Sequence, residues 1–214
     1  MKSLLGTFIS ILLFASCGQT QINSFKSPVG SKVKTSSPEA VAYFAEGCFW
    51  HTEIVFQSLV GVRDAISGYA GGNTTDPDYE EVSGGSTGHA ESVQVFYDPT
   101  KISYATLVAA FFASQDPTTL NRQGNDRGTE YRSIAFYSNE NERQIIDTEI
   151  KRLTAAKKYK NKIVTEIVPL KKFYPAENYH QEYIALHPGN SYVQNVSIPD
   201  FIKFKREFKG NFKQ

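Results

Sequence analysis

The sequence predicts an α/β fold, an α+β sandwich around one sheet, because apolar runs of strand length alternate with longer segments of helical periodicity. A chain of 214 residues has room for one domain with a sizeable core. Apolar residues make up 40% of the chain, which excludes a disordered protein. The formal net charge of +1 gives no overall attraction to nucleic acid, so no nucleic-acid partner is expected.

The first predicted strand is residues 41–45, an apolar run that Gly47 interrupts. The segment Phe49–Leu59 then spaces its large apolar side chains as one amphipathic helix would. Cys48 therefore stands at a strand-to-helix turn.

Two later helices are predicted from their N-caps, Ser103 and Asn139. Each cap precedes a segment with apolar residues at helical spacing, and the first of these segments stops before Asp116. The remaining predicted strands are residues 93–97, 133–137 and 163–168, the last of which ends at Pro169.

Two glycine-rich segments, Gly68–Gly88 and Gly124–Gly128, are predicted to be loops between these elements. Loops of such length in a compact domain are more often functional than idle. Because both regions also carry tyrosines and carboxylates, they are candidates for a binding or active site.

The first 17 residues are predicted to be a signal peptide with a lipobox. Lys2 precedes an apolar core of 11 residues, which is too short to span a bilayer. The run Phe14-Ala15-Ser16-Cys17 resembles a bacterial lipobox, in which the cysteine receives a lipid after cleavage. An ordinary signal peptide with an incidental cysteine and an uncleaved amphipathic start are the alternatives.

This reading predicts an exported, extracytoplasmic lipoprotein, anchored in a bacterial membrane through Cys17 and making no other membrane contact. Residues 18–38 mix Ser, Lys, Gly and Pro without periodicity and are predicted to be a flexible tether. Residues 39–214 form the folded domain with its C-terminal tail.

Cys48 is the leading candidate for chemistry. A helix N-terminus offers free N–H groups and the positive end of a dipole, which favour the nucleophilic thiolate. A cysteine among apolar neighbours is also often a small buried hydrophobe, and that alternative stays open. Phe49 and Trp50 follow directly, either as core residues or as the wall of an apolar pocket for a small methyl group.

Several acids and phenols accompany the glycines. Glu91 immediately precedes the strand 93–97, where a desolvated carboxyl would have a raised pKa and stay protonated, although a solvated position is the simpler alternative. Tyr79 lies in the first glycine-rich segment, and Asp126 and Tyr131 supply a further acid and phenol at the second.

The run Gly47-Cys48-Phe49-Trp50 resembles the GCFW signature of the A-type peptide methionine sulfoxide reductases. Other motifs of that family follow in the family's order and extend the resemblance over roughly residues 41–190. They are GYAGG at 68–72, YEEV at 79–82, TGHAE at 87–91, QDP at 115–117, QGND at 123–126, YRS at 131–133, FYPAE at 173–177 and YHQ at 179–181.

The resemblance implies a ferredoxin-like split βαβ core with added helices and long glycine-rich loops, and an enzyme that reduces the S epimer of methionine sulfoxide. Cys48 would attack the sulfoxide sulfur and become a sulfenic acid. Glu91 would be the protonated acid at the sulfoxide oxygen, with the Tyr79 and Tyr131 hydroxyls donating to the same atom. Asp126 would help to order the site.

By the same resemblance, Phe49 and Trp50 would enclose the substrate methyl group, and His180 would be a scaffold residue. No bound cofactor and no metal are expected. The substrates would be oxidised proteins or peptides and free methionine sulfoxide, acted on by a monomer.

Many members of this family carry resolving cysteines in the C-terminal tail, whereas residues 182–214 contain none. The sequence therefore predicts a single-cysteine, lipoprotein-type member whose Cys48 sulfenic acid is cleared by an external thiol reductant, thioredoxin or a similar dithiol.

Two other functions are alternatives to this one. A cysteine hydrolase or acyltransferase would use His89 or His180 as the base for Cys48. A non-catalytic surface lipoprotein would only bind oxidised peptides.

Overall fold

A computed structural model describes residues 39–214. The predicted signal peptide, the lipobox with Cys17 and the tether at 18–38 lie outside the described residues. Over residues 39–214, no helix is both long and apolar enough to cross a membrane. The strands are β1 Ala40–Glu46, β2 Val62–Ala70, β3 Ala90–Tyr97, β4 Arg122–Gln123, β5 Asp126–Arg127, β6 Ser133–Tyr137, β7 Glu166–Pro169 and β8 Phe173–Pro175. The α-helices are α1 Phe49–Gln57, α2 Tyr79–Ser83, α3 Tyr104–Ser114, α4 Glu140–Ala155, α5 Tyr183–Leu186 and α6 Ile198–Glu207.

A six-stranded sheet in the order β7-β6-β1-β3-β2-β8 organises the fold. Its four central strands, β6, β1, β3 and β2, pair antiparallel to one another. Strands β1 and β2 are joined through α1 and leave room for β3 between them, and β3 and β6 are joined through α3 around β1. Two interleaved split βαβ units of this kind make a ferredoxin-like core, which confirms the expected mixed fold. Strand β7 adds in parallel to β6, and β8 adds antiparallel to β2.

The main hydrophobic core lies between the sheet and the helices. Phe44 on β1 is fully buried and stacks on Phe56 of α1 at 5.0 Å between ring centroids and on Phe111 of α3 at 5.1 Å. Offset aromatic pairs at such separations add to the free energy gained by burial. Helix α1, which directly follows Cys48, is therefore packed against the centre of the sheet.

The caps predicted from the sequence are confirmed. The Ser103 Oγ accepts the Thr106 N–H at 3.1 Å and begins α3. The Asn139 Oδ1 accepts the Glu142 N–H at 3.0 Å and begins α4. The strand at 41–45 and that at 133–137 are also present, the first extended to Ala40–Glu46.

Three boundaries predicted from the sequence are wrong. Strand β2 occupies the first residues of the predicted Gly68–Gly88 loop, and α2 interrupts the rest of it. Strand β3 begins at Ala90, so that Glu91 lies inside a strand rather than before one. Strand β7 begins at Glu166, three residues later than predicted.

Gly68 shows why the loop prediction failed. A Cβ at this position would lie 2.3 Å from the Phe173 ring and 2.4 Å from the Tyr174 carbonyl oxygen. The glycine is there because β8 crosses close to β2, which is a requirement of packing and not of a turn.

The C-terminal tail packs on the domain. Phe204 of α6 is buried in the main core. After the helix, the Val60 N–H donates to the Asn211 carbonyl at 2.9 Å, and the Lys213 N–H donates to the Ser58 carbonyl at 2.8 Å. The end of the chain is thus bonded to the segment that directly follows α1.

Candidate active site

Cys48 lies at the N-cap of α1, immediately after the turn made by Gly47. Gly47 has a φ of 96°, a conformation that side chains with a Cβ rarely adopt. The Cys48 carbonyl accepts the N–H groups of His51 at 3.1 Å and Thr52 at 3.2 Å, so the cysteine begins the helix through its backbone. Its side chain forms no cap and is left free for other contacts.

Burial of the thiol raises the pKa of Cys48 well above its ordinary value, and the neighbouring Glu91 carboxylate raises it further. The N–H groups of Trp50 and His51 in the first turn of α1 act in the opposite direction, as the sequence predicted. Their effect is smaller than that of burial. Cys48 therefore rests as a thiol at neutral pH, while the first turn of α1 still favours the thiolate, the form that attacks.

Glu91 is the buried carboxyl beside this helix terminus, with 3% of its surface exposed. Its Oε2 accepts the Phe49 N–H at 3.0 Å, which holds it against the first turn of α1. Burial raises the pKa of Glu91 to about 8, and the charges of Asp126 and Glu130 add to the shift. At neutral pH the carboxyl therefore holds a proton, in agreement with the desolvated alternative of the two that the sequence allowed.

Tyr79 and Tyr131 lie close enough to Glu91 and Cys48 for the charges of these two groups to raise the pKa of both phenols. Burial raises the pKa of Tyr79 to about 12, and the charges of Glu91 and Cys48 contribute. Burial and the same two charges also raise the pKa of Tyr131. Both hydroxyls consequently remain O–H donors at neutral pH.

The position of Tyr79 depends on Glu177. Tyr79 is the first residue of α2, and its N–H donates to the Glu177 Oε1 at 2.9 Å. The other oxygen of Glu177 accepts the Tyr69 hydroxyl of β2 at 2.8 Å. Glu177 thereby joins α2 to the sheet and fixes the position of the Tyr79 backbone, from which the phenol ring extends.

Phe49 and Trp50 differ in exposure. Phe49 is 1% exposed and packs against His180 and Tyr69, whereas the Trp50 ring is half-buried. The Trp50 indole N–H donates to the His180 Nδ1 at 3.1 Å, and the ring stacks on Tyr183 with centroids 3.7 Å apart and planes 5° apart. Trp50, His180 and Tyr183 together are called the aromatic wall below.

Asp126 is bonded to a residue that the sequence did not suggest. The Tyr192 hydroxyl donates to the Asp126 Oδ2 at 2.5 Å and also contacts Cys48. Burial raises the pKa of Asp126, while the Tyr192 hydrogen bond lowers it. Tyr192 reaches this point because the tail folds back over α1.

The structure brings together Cys48, Glu91, Tyr79, Tyr131 and Asp126, the five residues predicted to be catalytic, with Trp50 at the edge and Phe49 behind. Glu177 belongs to the FYPAE motif, but the sequence assigned it no role, and Tyr183 lies two residues after the YHQ motif and was not predicted. Tyr192 was missed because no local pattern in the tail marks it.

The histidines bond away from the thiol. His89 accepts the Gly72 N–H through Nδ1 at 3.1 Å and meets the Thr74 carbonyl through Nε2 at 2.9 Å. His180 Nδ1 accepts from Trp50, and its Nε2 lies 4.0 Å from Glu177 Oε2. The base that a cysteine hydrolase would need is therefore not supplied by either histidine.

Among residues 39–214, no cluster of three or more His, Cys, Asp or Glu side chains could hold a metal ion. What the site offers is a sulfur nucleophile, one neutral carboxylic acid and two phenol donors, beside an aromatic surface. Such a set can transfer a proton to an oxygen that becomes basic while the sulfur is attacked.

Comparison with known proteins identifies a family. Residues 40–212 match the family model described as peptide methionine sulfoxide reductase. The curated peptide methionine sulfoxide reductase MsrA 1 of Rhodopirellula baltica is 46% identical over 182 residues, which cover 85% of this chain and 94% of that protein. The MsrA of Picrophilus torridus is 48% identical over 170 residues, covering 79% and 96%.

Solved structures agree with the sequence comparison. The crystal structure of Mxr1 from Saccharomyces cerevisiae in reduced form superposes with a TM-score of 0.67 at 36% identity, over 71% of this chain and 87% of that one. Methionine sulfoxide reductase A of Corynebacterium diphtheriae gives a TM-score of 0.64 at 36% identity, over 71% and 76%.

Proposed function

The chain belongs to the peptide methionine sulfoxide reductase family and reduces methionine sulfoxide in proteins, and we propose that Cys48 is the residue that attacks the sulfoxide sulfur. The observation that carries this assignment is the contact of one helix terminus with both a thiol and a carboxyl. Glu91 accepts the Phe49 N–H next to Cys48, and its raised pKa of about 8 keeps a proton available there.

In the first step, the Cys48 sulfur forms a bond to the sulfoxide sulfur while Glu91 delivers its proton to the sulfoxide oxygen. The oxygen then moves to Cys48, so methionine leaves as the sulfide and Cys48 becomes a sulfenic acid. The proton of the Cys48 thiol passes to the Glu91 carboxylate, which has just given up its own, so the step neither gains nor loses a proton. Tyr79 and Tyr131 donate hydrogen bonds to the same oxygen as its negative charge develops.

The aromatic side chains bind the rest of the substrate. Trp50 presents a half-buried ring to the methyl group, and the buried Phe49 supports it from behind. Asp126 and Tyr192 order the opposite side of Cys48 through their hydrogen bond.

We propose that the enzyme acts on the S epimer. The sulfur of methionine sulfoxide carries four different substituents, counting its lone pair, and only one arrangement directs the oxygen to Glu91 and the methyl group to Trp50 while Cys48 attacks. The other epimer would exchange the oxygen and the methyl group, leaving buried donors without a partner.

The sulfenic acid needs a reductant from outside. Cys48 is the only thiol within residues 39–214. A first external thiol would form a mixed disulfide with Cys48 and release water. A second external thiol would then attack this mixed disulfide, which frees the Cys48 thiol and leaves the reductant oxidised as a disulfide. We propose a thioredoxin-like dithiol for this role.

The proposals on location concern the first 38 residues. We propose that Cys17 is lipidated and that the protein is an exported, membrane-anchored monomer. Labelling with a radioactive fatty acid tests this, with Cys17→Ser losing the label and Cys48→Ser, the same substitution at the other cysteine, keeping it. A label that survives Cys17→Ser, or a soluble wild type, contradicts the anchor, and size-exclusion chromatography tests the monomer.

The experiment that tests the function is a turnover assay with separate S and R epimers of a methionine sulfoxide peptide and of free methionine sulfoxide. We expect consumption of the S epimer alone, with dithiothreitol as the first reductant and thioredoxin as the second. Cys48→Ser should fall to background, while Cys17→Ser, the matched control, should keep full activity.

Two outcomes would contradict the proposal. Turnover of the R epimer would contradict the geometry given for the oxygen. A disulfide between Cys17 and Cys48 during turnover of the mature protein would contradict the single-cysteine cycle.

A further inference from the structure

Glu53 is a buried carboxyl on the inner face of α1 that the proposed chemistry does not use. It lies five residues after Cys48 and is 3% exposed. Its Oε2 accepts the Ser67 hydroxyl of β2 at 2.5 Å. Its Oε1 accepts the Gln57 side chain at 3.0 Å and the backbone N–H of Glu182 at 2.7 Å.

The bond to Glu182 is the informative one, because it joins α1 to a segment 129 residues away. Glu182 has a φ of 53°, a left-handed conformation. This conformation is energetically unfavourable for any residue other than glycine and persists only where surrounding contacts hold it. Gln181, the preceding residue, accepts the Ser67 N–H at 3.0 Å and donates to the Ser67 and Ala176 carbonyls at 3.0 and 2.9 Å. The two residues, here called the 181–182 turn, are thus bonded to β2 through Gln181 and to α1 through Glu182.

The 181–182 turn connects the two members of the aromatic wall that do not belong to α1. His180 precedes it and accepts the Trp50 indole N–H, and Tyr183 follows it and stacks on the Trp50 ring. Glu53 and Trp50 are three residues apart on the same helix. Glu53 therefore bonds to the same segment, residues 180–183, that Trp50 contacts through His180 and Tyr183.

We propose that Glu53 is a positioning residue that sets the aromatic wall of the substrate site by holding the 181–182 turn against α1. The inference deepens the function proposed above and rests on it for its effect on catalysis. Without the carboxylate, the Glu182 N–H loses its acceptor, and the left-handed turn loses the contact that offsets its strain. Tyr183 then no longer lies in a fixed position over Trp50.

The only tryptophan of the chain makes the position of the wall measurable without any substrate. Glu53→Leu should shift the Trp50 fluorescence to longer wavelength and increase its quenching by acrylamide. For an S-sulfoxide peptide, we expect KM to rise roughly tenfold, the effect of leaving the Glu182 N–H without its acceptor, with kcat within about twofold of wild type.

Glu53→Gln is the conservative variant. Its amide oxygen can still accept the Glu182 N–H, and its NH₂ group can donate to the Ser67 hydroxyl. We expect wild-type fluorescence and KM. Ser67→Ala removes one donor to Glu53 and should give a smaller shift in the same direction, which provides a second test if Glu53→Leu does not fold.

Leu153→Ala on α4 is the control for stability. Leu153 is buried in the main core, so its truncation destabilises the protein without touching the 181–182 turn. It should leave both the Trp50 emission and KM unchanged.

A folded Glu53→Leu with wild-type emission and KM would overturn the proposal, and so would a loss confined to kcat. The fluorescence also separates this proposal from the proposed function. If wild type turned over neither epimer, the function would fail, whereas the Trp50 emission would still report whether Glu53 holds the wall.

Discussion

Two glutamates of the site show how environment determines the state of a carboxyl. Burial raises the pKa of Glu91, and a single backbone N–H opposes it. Burial acts in the same direction on Glu177, but the donors around it, the Tyr79 N–H and the Tyr69 hydroxyl among them, outweigh it and lower its pKa. At neutral pH one carboxyl is therefore an acid and the other an anchor.

The first prediction concerns the proton on Glu91. Glu91→Gln keeps an acceptor for the Phe49 N–H but has no acidic proton, so kcat should fall roughly 10²- to 10⁴-fold, the usual contribution of a general acid. The infrared difference spectrum, wild type minus Glu91→Gln, should show a protonated carboxyl band at neutral pH, because the other buried carboxyls, Glu46 and Glu53, cancel in the difference. The band should disappear as the pH rises through about 8. A band already lost at pH 6 would contradict the role.

The second prediction concerns the hydroxyl of Tyr192. Tyr192→Phe removes the donor to the half-buried Asp126 Oδ2, which should lower the free energy of unfolding by about 1 kcal/mol. The pKa of Asp126 should rise further, because the lost hydrogen bond was lowering it.

Urea unfolding and KM for the sulfoxide peptide measure the effect. Tyr183→Phe is the matched control, since it keeps the ring on Trp50 and removes only a 3.3 Å contact with Asn190. Equal decreases in unfolding free energy for Tyr192→Phe and Tyr183→Phe would contradict a stabilising role of the hydrogen bond between Tyr192 and Asp126.

At the scale of elements, the turn between β1 and α1 determines where the thiol lies. The third prediction is that Gly47→Ala destabilises the protein more than Gly124→Ala. Both glycines have positive φ, at 96° and 59°. A Cβ on Gly47 would lie 2.6 Å from the Gln123 Cβ, whereas nothing lies within 4 Å of a Cβ on Gly124.

Gly124→Ala should cost only the left-handed conformation, about 1 kcal/mol, and Gly47→Ala should add the clash with Gln123. Urea unfolding of the two variants gives the difference. The Gly47→Ala variant should also lose turnover, because relief of the clash moves Cys48 away from Glu91. Equal unfolding free energies would show that Gln123 moves without cost.

Elements with a local signal were predictable from the sequence. Strand β1 is an uninterrupted apolar run, and Ser103 and Asn139 are caps whose side chains act within three residues. Strand β2 was not predictable, because it contains Gly68, whose role is set by a strand more than 100 residues later. Helix α6 could have been found, since Phe201, Phe204 and Phe208 are spaced along one helical face.

The same distinction holds for the site. The position of Cys48 follows from a turn of a few residues. Glu53, Tyr183 and Tyr192 acquire their roles only when the tail and the 181–182 turn return to α1, and no local pattern shows that return.

At the scale of the whole molecule, buried carboxyls make stability depend on pH. Burial raises the pKa of Glu91 to about 8, that of Glu53 to about 7 and that of Glu46 well above its ordinary value. Between 4.5, the value for the unfolded chain, and these raised values, the folded state holds protons that the unfolded state has released. Stability therefore falls as the pH rises through this interval.

The fourth prediction is that Glu91→Gln makes this decline shallower by about 1.4 kcal/mol per pH unit between pH 5 and 7, which corresponds to one proton. Urea unfolding over a series of pH values measures the slope. Below pH 4.5 both states of wild type hold the Glu91 proton, so the two slopes should coincide there. A slope of the variant equal to that of wild type above pH 5 would mean that the folded carboxyl is ionised.

The two edges of the sheet have a consequence for an enzyme whose substrates are damaged proteins. Strands β7 and β8 are only four and three residues long, and they end in Pro169 and Pro175, which have no N–H to offer. The Lys172 ammonium lies 4.4 Å from the centre of the Tyr174 ring on β8. Short strands, prolines and lysines are the devices that keep sheets from aggregating edge to edge. Oxidised chains that have partly unfolded can thus approach the thiol without adding themselves to the sheet as new strands.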